Sequence, residues 1–210
     1  MSESSNDKAR RPFRPGITLE TLEANGIITA TAEEARELTG IRRKGLSIPY
    51  MDLWGDPIRD GEREFCRIRL DVPLEDMKYH QRKGSGNHLY LPNDLHRLLD
   101  ETEELVVVEG EFKALALVES GVPAVGISGF YGFGNDRSLA PEWESICEEF
   151  PNLSRILFLG DSDTALNYQF SDAAKKLEVM FDEDVIRLPR MSIAGPKGID
   201  DLKQKLLDES

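Results

Sequence analysis

From residue 104 onward, short apolar runs alternate with amphipathic stretches, and this alternation restricts the architecture more than any other feature of the chain. "ELVVVE" reads as a strand, "EFKALALVESG" as a helix stopped by glycine, and "PAVGIS" as a second strand. After the loop "FYGFGNDRS" come a helix, "APEWESICEEF", and a third strand, "RILFLGDSD". "SDAAKKLEVMF" is a helix, "DVIRLP" a fourth strand and "GIDDLKQKLL" a last helix. Runs that are apolar at every position, rather than at every second one, mark strands covered on both faces. The expectation is an α/β domain with a mostly parallel four-stranded sheet and helices on both faces.

Upstream the pattern differs. "ITLETLEANGII" and "TAEEARELTG" read as short helices, the second with Thr31 as N-cap, Glu34 completing a capping box and Gly40 as its stop. "LSIPYMDLWGDPIRDGEREFCRIRLDV" reads as a β-hairpin around the turn-rich "GDPIRDG", and "MKYHQRKGSGNHLYLP" continues extended and then Gly-rich. Residues 1–16 form a polar flexible tail, 17–100 a small α+β subdomain and 101–210 the α/β domain. The tail has no apolar segment of the secretory kind, and Arg10, Arg11 and Arg14 give it a second reading as a basic nucleic-acid arm. No apolar run approaches the roughly 20 residues of a membrane span. A cytoplasmic protein without membrane contact is expected.

The net charge of −13 argues against a protein that coats DNA through its overall field. It leaves room for an enzyme that meets phosphates through a bound metal and one local basic strip. The two cysteines, Cys66 and Cys147, are too few for a four-thiolate zinc site. The three histidines, His80, His88 and His96, lack a helical metal spacing and read as surface or loop residues.

Acids gather where the strands end. Glu109 closes the first strand, Asp161 and Asp163 follow the third, and Asp200 and Asp201 lie a little beyond the fourth. Ligands of open α/β sheets bind outside the carboxyl ends of the strands. Asp161 and Asp163 are two apart, so an extended backbone points them the same way. Carboxylates so placed repel unless a cation neutralises them, and hard oxygen donors without imidazole favour Mg²⁺ or Mn²⁺. Each acid alone has a plainer explanation. The helix macrodipole accounts for Glu111, and an aspartate after a strand is a common N-cap.

"VVVEGEFKALAL", "ILFLGDSDTALNYQFSDAAKKL" and "VIRLPRMSIAGPKGIDDL" resemble the Toprim domain, a Rossmann-like fold found in DnaG-type primases and in bacteriophage and plasmid primases. Related domains occur in topoisomerases and some nucleases. The resemblance places the family's invariant glutamate on Glu109, its DxD on Asp161 and Asp163, and its further acid on Asp200 or Asp201. Its glycine after the second strand falls on Gly126 or Gly129. Upstream, "EFCRIRLDVPLEDMKYHQRKGSGNHLY" is similar to the basic subdomain that precedes Toprim in primases. This implies a primase-like catalytic core: metal-dependent nucleotidyl transfer that makes short primers on single-stranded DNA from nucleoside triphosphates. Glu109, Asp161 and Asp163 would be catalytic and, with Asp200 and Asp201, metal-binding. "DSDTALN" replaces the Ala-Gly that commonly follows DxD in primases.

The basic segment agrees with that reading. Lys78, His80 and Arg82 share one face if extended, with Lys83 beside them, and Arg67 and Arg69 lie on one face of the preceding strand. These cations suit triphosphate or template phosphates, or else keep solvated strand edges soluble. Tyr79 is placed to stack on a base or to pack under the hairpin. Lys113 and Lys197, the latter in a Gly-Pro-Lys-Gly turn, are further phosphate candidates. The chain contains no GxxxxGK[ST] loop and too few cysteines for a zinc module, so a helicase or zinc-binding module is expected as a separate partner. Two alternatives stay open: a Toprim metal-dependent nuclease, and a non-catalytic module that binds nucleic acid or replication partners.

Overall fold

The computed structural model describes residues 11–129, 134–135, 138–160, 185–187 and 198–208. They divide into two compact units. Among the described residues no helix is long and apolar enough to cross a membrane.

The first unit comprises residues 11–14, Thr18–Tyr50 and Pro57–Gly86. It opens with helix α1 (Leu19–Ala24), whose N-cap Thr18 accepts from the Thr21 N–H, and strand β1 (Ile28–Ala30). Helix α2 (Ala32–Thr39) carries the capping box of Thr31 and Glu34 in full, and Gly40 ends it at φ 85°. Strands β2 (Gly45–Pro49), β5 (Cys66–Leu74) and β6 (Met77–Gln81) join β1 in an antiparallel sheet of order β1-β2-β5-β6. The single hairpin expected from the sequence is more elaborate. Between β2 and β5 lies a small hairpin of its own, β3 (Arg59–Asp60) with β4 (Arg63–Glu64), turning at Gly61 with φ 64°. Ala30, Ile68 and Leu70 pack with Ala35 of α2 on one sheet face, flanked by Ile41 and Leu74.

The second unit comprises Pro15–Ile17, Met51–Asp56 and the chain from Asn87. Strands β7 (Glu104–Glu109), β8 (Ala124–Ile127), β11 (Arg155–Leu159) and β12 (Val185–Arg187) form a parallel sheet of order β12-β11-β7-β8. The loop after β8 holds a two-residue pair, β9 (Gly134–Asn135) with β10 (Ser138–Leu139). Three helices, α4 (Glu111–Glu119), α5 (Glu142–Glu149) and α6 (Ile199–Asp208), fall where the periodicity puts them. A short one, α3 (Leu95–Leu99), lies in "PNDLHRLLD", which the sequence pattern leaves unassigned. The expected helix "SDAAKKLEVMF" lies outside the described residues.

Helices lie on both faces of this sheet, as the unbroken apolar runs require. Leu105, Val107, Val125, Ile127, Ile156 and Phe158 form one core with Trp143 and Ile146 of α5 and Leu95 and Leu99 of α3. The intervening residues Val106, Val108 and Ala124 are equally buried, on the side where α4 packs. Gly126, in register with Val108, marks the closest approach of α4: a methyl group there would stand 2.9 Å from the Gly110 carbonyl oxygen. Each of these large side chains stabilises the fold by about 1.5–3 kcal/mol on burial. Polar groups are thereby driven off both faces towards the strand ends.

Candidate functional site

The strand-to-helix switch after β7 builds the centre of the site. Glu109 is the last residue of the strand and is half-buried, in register with Ile127 of β8. Gly110 then turns the chain at φ 103° and ψ 152°, a conformation that disfavours any side chain, and donates its N–H to Ile127 O at 2.9 Å. Helix α4 starts directly afterwards. Glu109 thus stands at the carboxyl edge of a central strand, where an open α/β sheet receives ligands. Of the two candidate glycines, Gly126 lies within β8 and provides the clearance for α4, whereas Gly129 follows the strand and takes a positive φ of 70° in open space.

Glu111 is more than a first-turn acid. Only 1% of it is exposed, beside the buried Tyr90. Burial, with the Glu111 carboxylate second, pushes the Tyr90 phenol up, so the hydroxyl stays protonated. Tyr90 extends the sheet by pairing with Gly126 through N–H···O bonds of 2.8 and 2.9 Å. A further buried acid holds the preceding residues: Glu142 takes the His88 ring at Nδ1 (2.7 Å) and the Leu89 N–H (3.0 Å). His88 is thus a loop residue, as one of the two sequence readings had it, but partly buried and hydrogen-bonded to Glu142. Nothing in the local pattern signals the pair, which joins residues 54 positions apart.

The late acids sit at the start of α6, which packs against α4. Asp200 is 3% exposed, whereas Asp201 is fully at the surface and its Oδ2 accepts from the Gly198 N–H at 3.4 Å. Farther along, Lys203 of α6 pairs with Glu119 and donates to the Ala116 carbonyl of α4. The starts of both helices therefore lie side by side. Lys113, half-buried in the first turn of α4, and Asp200 both reach Gly198. Asp161, Asp163 and Lys197 lie outside the described residues. Among the described residues no three His, Cys, Asp or Glu side chains gather closely enough to hold a metal. Glu109 fits a hard, partly hydrated cation by its carboxylate chemistry and its partial exposure. Burial pushes both the Cys66 and the Cys147 thiols up, with a hydrogen bond to Ser47 opposing the shift at Cys66. Protonated thiols are poor metal ligands.

In the antiparallel unit the basic residues divide between two sheet faces. Arg67 is opposite Ile48 and Gln81, and Arg69 opposite Leu46 and Tyr79. Both guanidinium groups lie over the Tyr79 ring, with Cζ 5.0 and 6.0 Å from its centroid. Ile68 is opposite His80, so alternation puts His80 and Lys78 on the other face, under which α2 packs. Arg82 is engaged: its Nη2 bonds the Asp60 carboxylate at 2.8 Å and the Asp60 carbonyl at 3.0 Å. Lys78 and Lys83 are exposed. Gln81 fastens the following Gly-rich turn through Ser85 Oγ and Gly86 O, at 3.1 and 3.0 Å.

The fold is similar to that of solved primase structures. The chain is similar to the zinc-binding and RNA polymerase domains of the Aquifex aeolicus primase, with a TM-score of 0.60 and 16% identity over 92% of this chain and 52% of that one. It is similar to the primase fragment of the bacteriophage T7 primase-helicase protein, with a TM-score of 0.54, 16% identity and coverage of 93% and 68%. For the RNA polymerase domain of the Mycobacterium tuberculosis primase DnaG the values are 0.50, 17%, 92% and 62%. The chain spans about half the length of the Aquifex structure. At such identities the likeness establishes the fold. In sequence, the model of the "Domain of unknown function (DUF3854)" family matches residues 96–206, more than half of the 210, and the chain belongs to that family. No curated protein matches it.

Proposed function

We propose that this chain is the Toprim-type catalytic core of a primase, joining nucleotides into short primers on single-stranded DNA during bacterial, phage or plasmid replication. The observation that carries this reading is that the likeness to primase fragments runs over 92–93% of the chain, through both units. A Toprim nuclease would account for the parallel sheet and leave the antiparallel unit without a purpose.

In this reading Glu109, Asp161 and Asp163 hold Mg²⁺ or Mn²⁺, with Asp201 exposed nearby in the sequence order of the acids. When bound, the metal lowers the pKa of an attacking hydroxyl and neutralises charge on the transferred phosphate. The chain's own residues bind and orient. Arg67 and Arg69 offset phosphate charge, and Tyr79, held beneath them, presents a ring for a base to stack on. Lys78, Lys83 and Lys197 add weaker phosphate contacts. Template selection and unwinding fall to a separate zinc-binding module or helicase.

The test is primer synthesis on single-stranded DNA with nucleoside triphosphates and Mn²⁺. Nucleotide-dependent extension is expected, and Glu109→Gln and Asp161→Asn should each reduce it by about 100-fold or more. Shortening of the DNA without added nucleotide would instead establish a nuclease. Product formation undiminished in both variants would overturn the site.

A further inference from the structure

Asp200 is the enclosed member of the late acid pair. It is the second residue of α6 and 3% exposed, while its neighbour Asp201 is open to solvent. Two glycines make its enclosure feasible. A methyl group on Gly198 would lie 2.7 Å from Asp200 Oδ1 and 2.7 Å from Lys113 Cε, with Lys113 Cδ at 3.5 Å. The carboxylate and the end of the lysine stem thus converge on one point, which only a residue without a side chain leaves vacant. On the backbone side, a methyl group on Gly16 would stand 2.6 Å from the Asp200 carbonyl oxygen. Gly16 is held there by its N–H bond to Gln204 Oε1 at 2.5 Å.

A carboxylate removed from water needs a cation close by. Mg²⁺ suits this place poorly, because it demands octahedral geometry and keeps several of its waters. The lysine stem reaches the same point as Asp200 Oδ1, so it competes with that shell for space beside the carboxylate. We infer that Asp200 is the counter-ion of Lys113 and the residue that positions its ammonium, and is not a ligand of the divalent ion. Lys113 lies in the first turn of α4, four residues after Glu109 at the carboxyl edge of β7, so the pairing fixes the direction of an ammonium group near that edge. The ligand class that suits it is a nucleotide phosphate. The metal part of this inference rests on the primase reading, whereas the pairing of Asp200 with Lys113 does not.

Two measurements on the full chain test it. The first is free of metal: thermal unfolding in EDTA of Lys113→Met, Asp200→Asn and the double variant. Each single variant should lower Tm, and the double variant should lose clearly less than the two losses combined. Additive losses would overturn the pairing. If a single variant fails to fold, reductive methylation of the wild type followed by mass spectrometry decides the same point. Lys113 should react far more slowly than the exposed Lys78 and Lys83, and equal reactivity would overturn the pairing. The second is Mn²⁺ binding followed by electron paramagnetic resonance. Asp161→Asn should weaken binding about tenfold or more, Asp200→Asn should leave it unchanged, and Lys113→Met should strengthen it by freeing the carboxylate. An Asp200→Asn variant that loses Mn²⁺ as Asp161→Asn does would overturn the assignment. A wild type that binds no Mn²⁺ would overturn the primase reading and the metal part with it, while the coupling in EDTA still stands or falls by itself.

Discussion

The two sheets handle polar side chains in opposite ways. In the antiparallel unit one face is apolar beneath α2, and the other changes character across the sheet. It is apolar at Leu46 and Ile48 of β2 and polar at Arg67, Arg69 and Tyr79 of β5 and β6. Period-two alternation lets functional groups stand in rows along a strand. In the parallel unit successive residues Leu105, Val106, Val107 and Val108 are all buried, so no row is available. Glu109 and Gly110, where the strand ends, are the first half-exposed positions. A sheet covered on both faces concentrates its chemistry at strand termini, and a sheet whose second face is left half-exposed over β5 and β6 can spread it out.

The contrast can be broken at several levels. Leu105→Ala, in the doubly covered sheet, should cost about 2–5 kcal/mol in urea unfolding, because the site is closed on every side. A cost below about 1 kcal/mol would mean that the face is not sealed. Tyr79→Ala should weaken binding of a single-stranded oligonucleotide by about 1–3 kcal/mol. Lys78→Ala, on the opposite face, should have the smaller effect. Equal losses would dissolve the distinction between the two faces. The smallest effect is confined to alkaline pH. The Tyr90 phenol has its folded pKa raised above the ordinary value of 10.0, chiefly by burial. The unfolded chain therefore releases this proton first. The contribution is fully present below about pH 10 and is lost as the pH climbs beyond it. Tyr90→Phe should flatten the alkaline fall in denaturant midpoint, and an unchanged fall would place the phenol in water.

Much of the fold is legible because it is local. The run "ELVVVE" is β7 residue for residue, and Thr31 with Glu34 forms the capping box that its spacing announces. Other features were concealed. "PNDLHRLLD" is too short for helical periodicity to register, yet α3 buries Leu95, Leu98 and Leu99. The basic residues of "FCRIRL" and "MKYHQRK" form two rows in the sequence, and only the register shows that these rows lie on opposite faces of the sheet. Arg82 has its own partner in Asp60, 22 positions away.

Sequence alone determined the repeating elements and the place of Glu109 at a strand end, because both depend on neighbours two to four residues apart. Only the tertiary structure decided that Asp200 is enclosed while Asp201 is not, that Glu111 is buried, and that Glu142 bonds His88. Those differences arise from which distant segment covers a side chain, and hence from how water and countercharge are distributed around otherwise similar carboxylates.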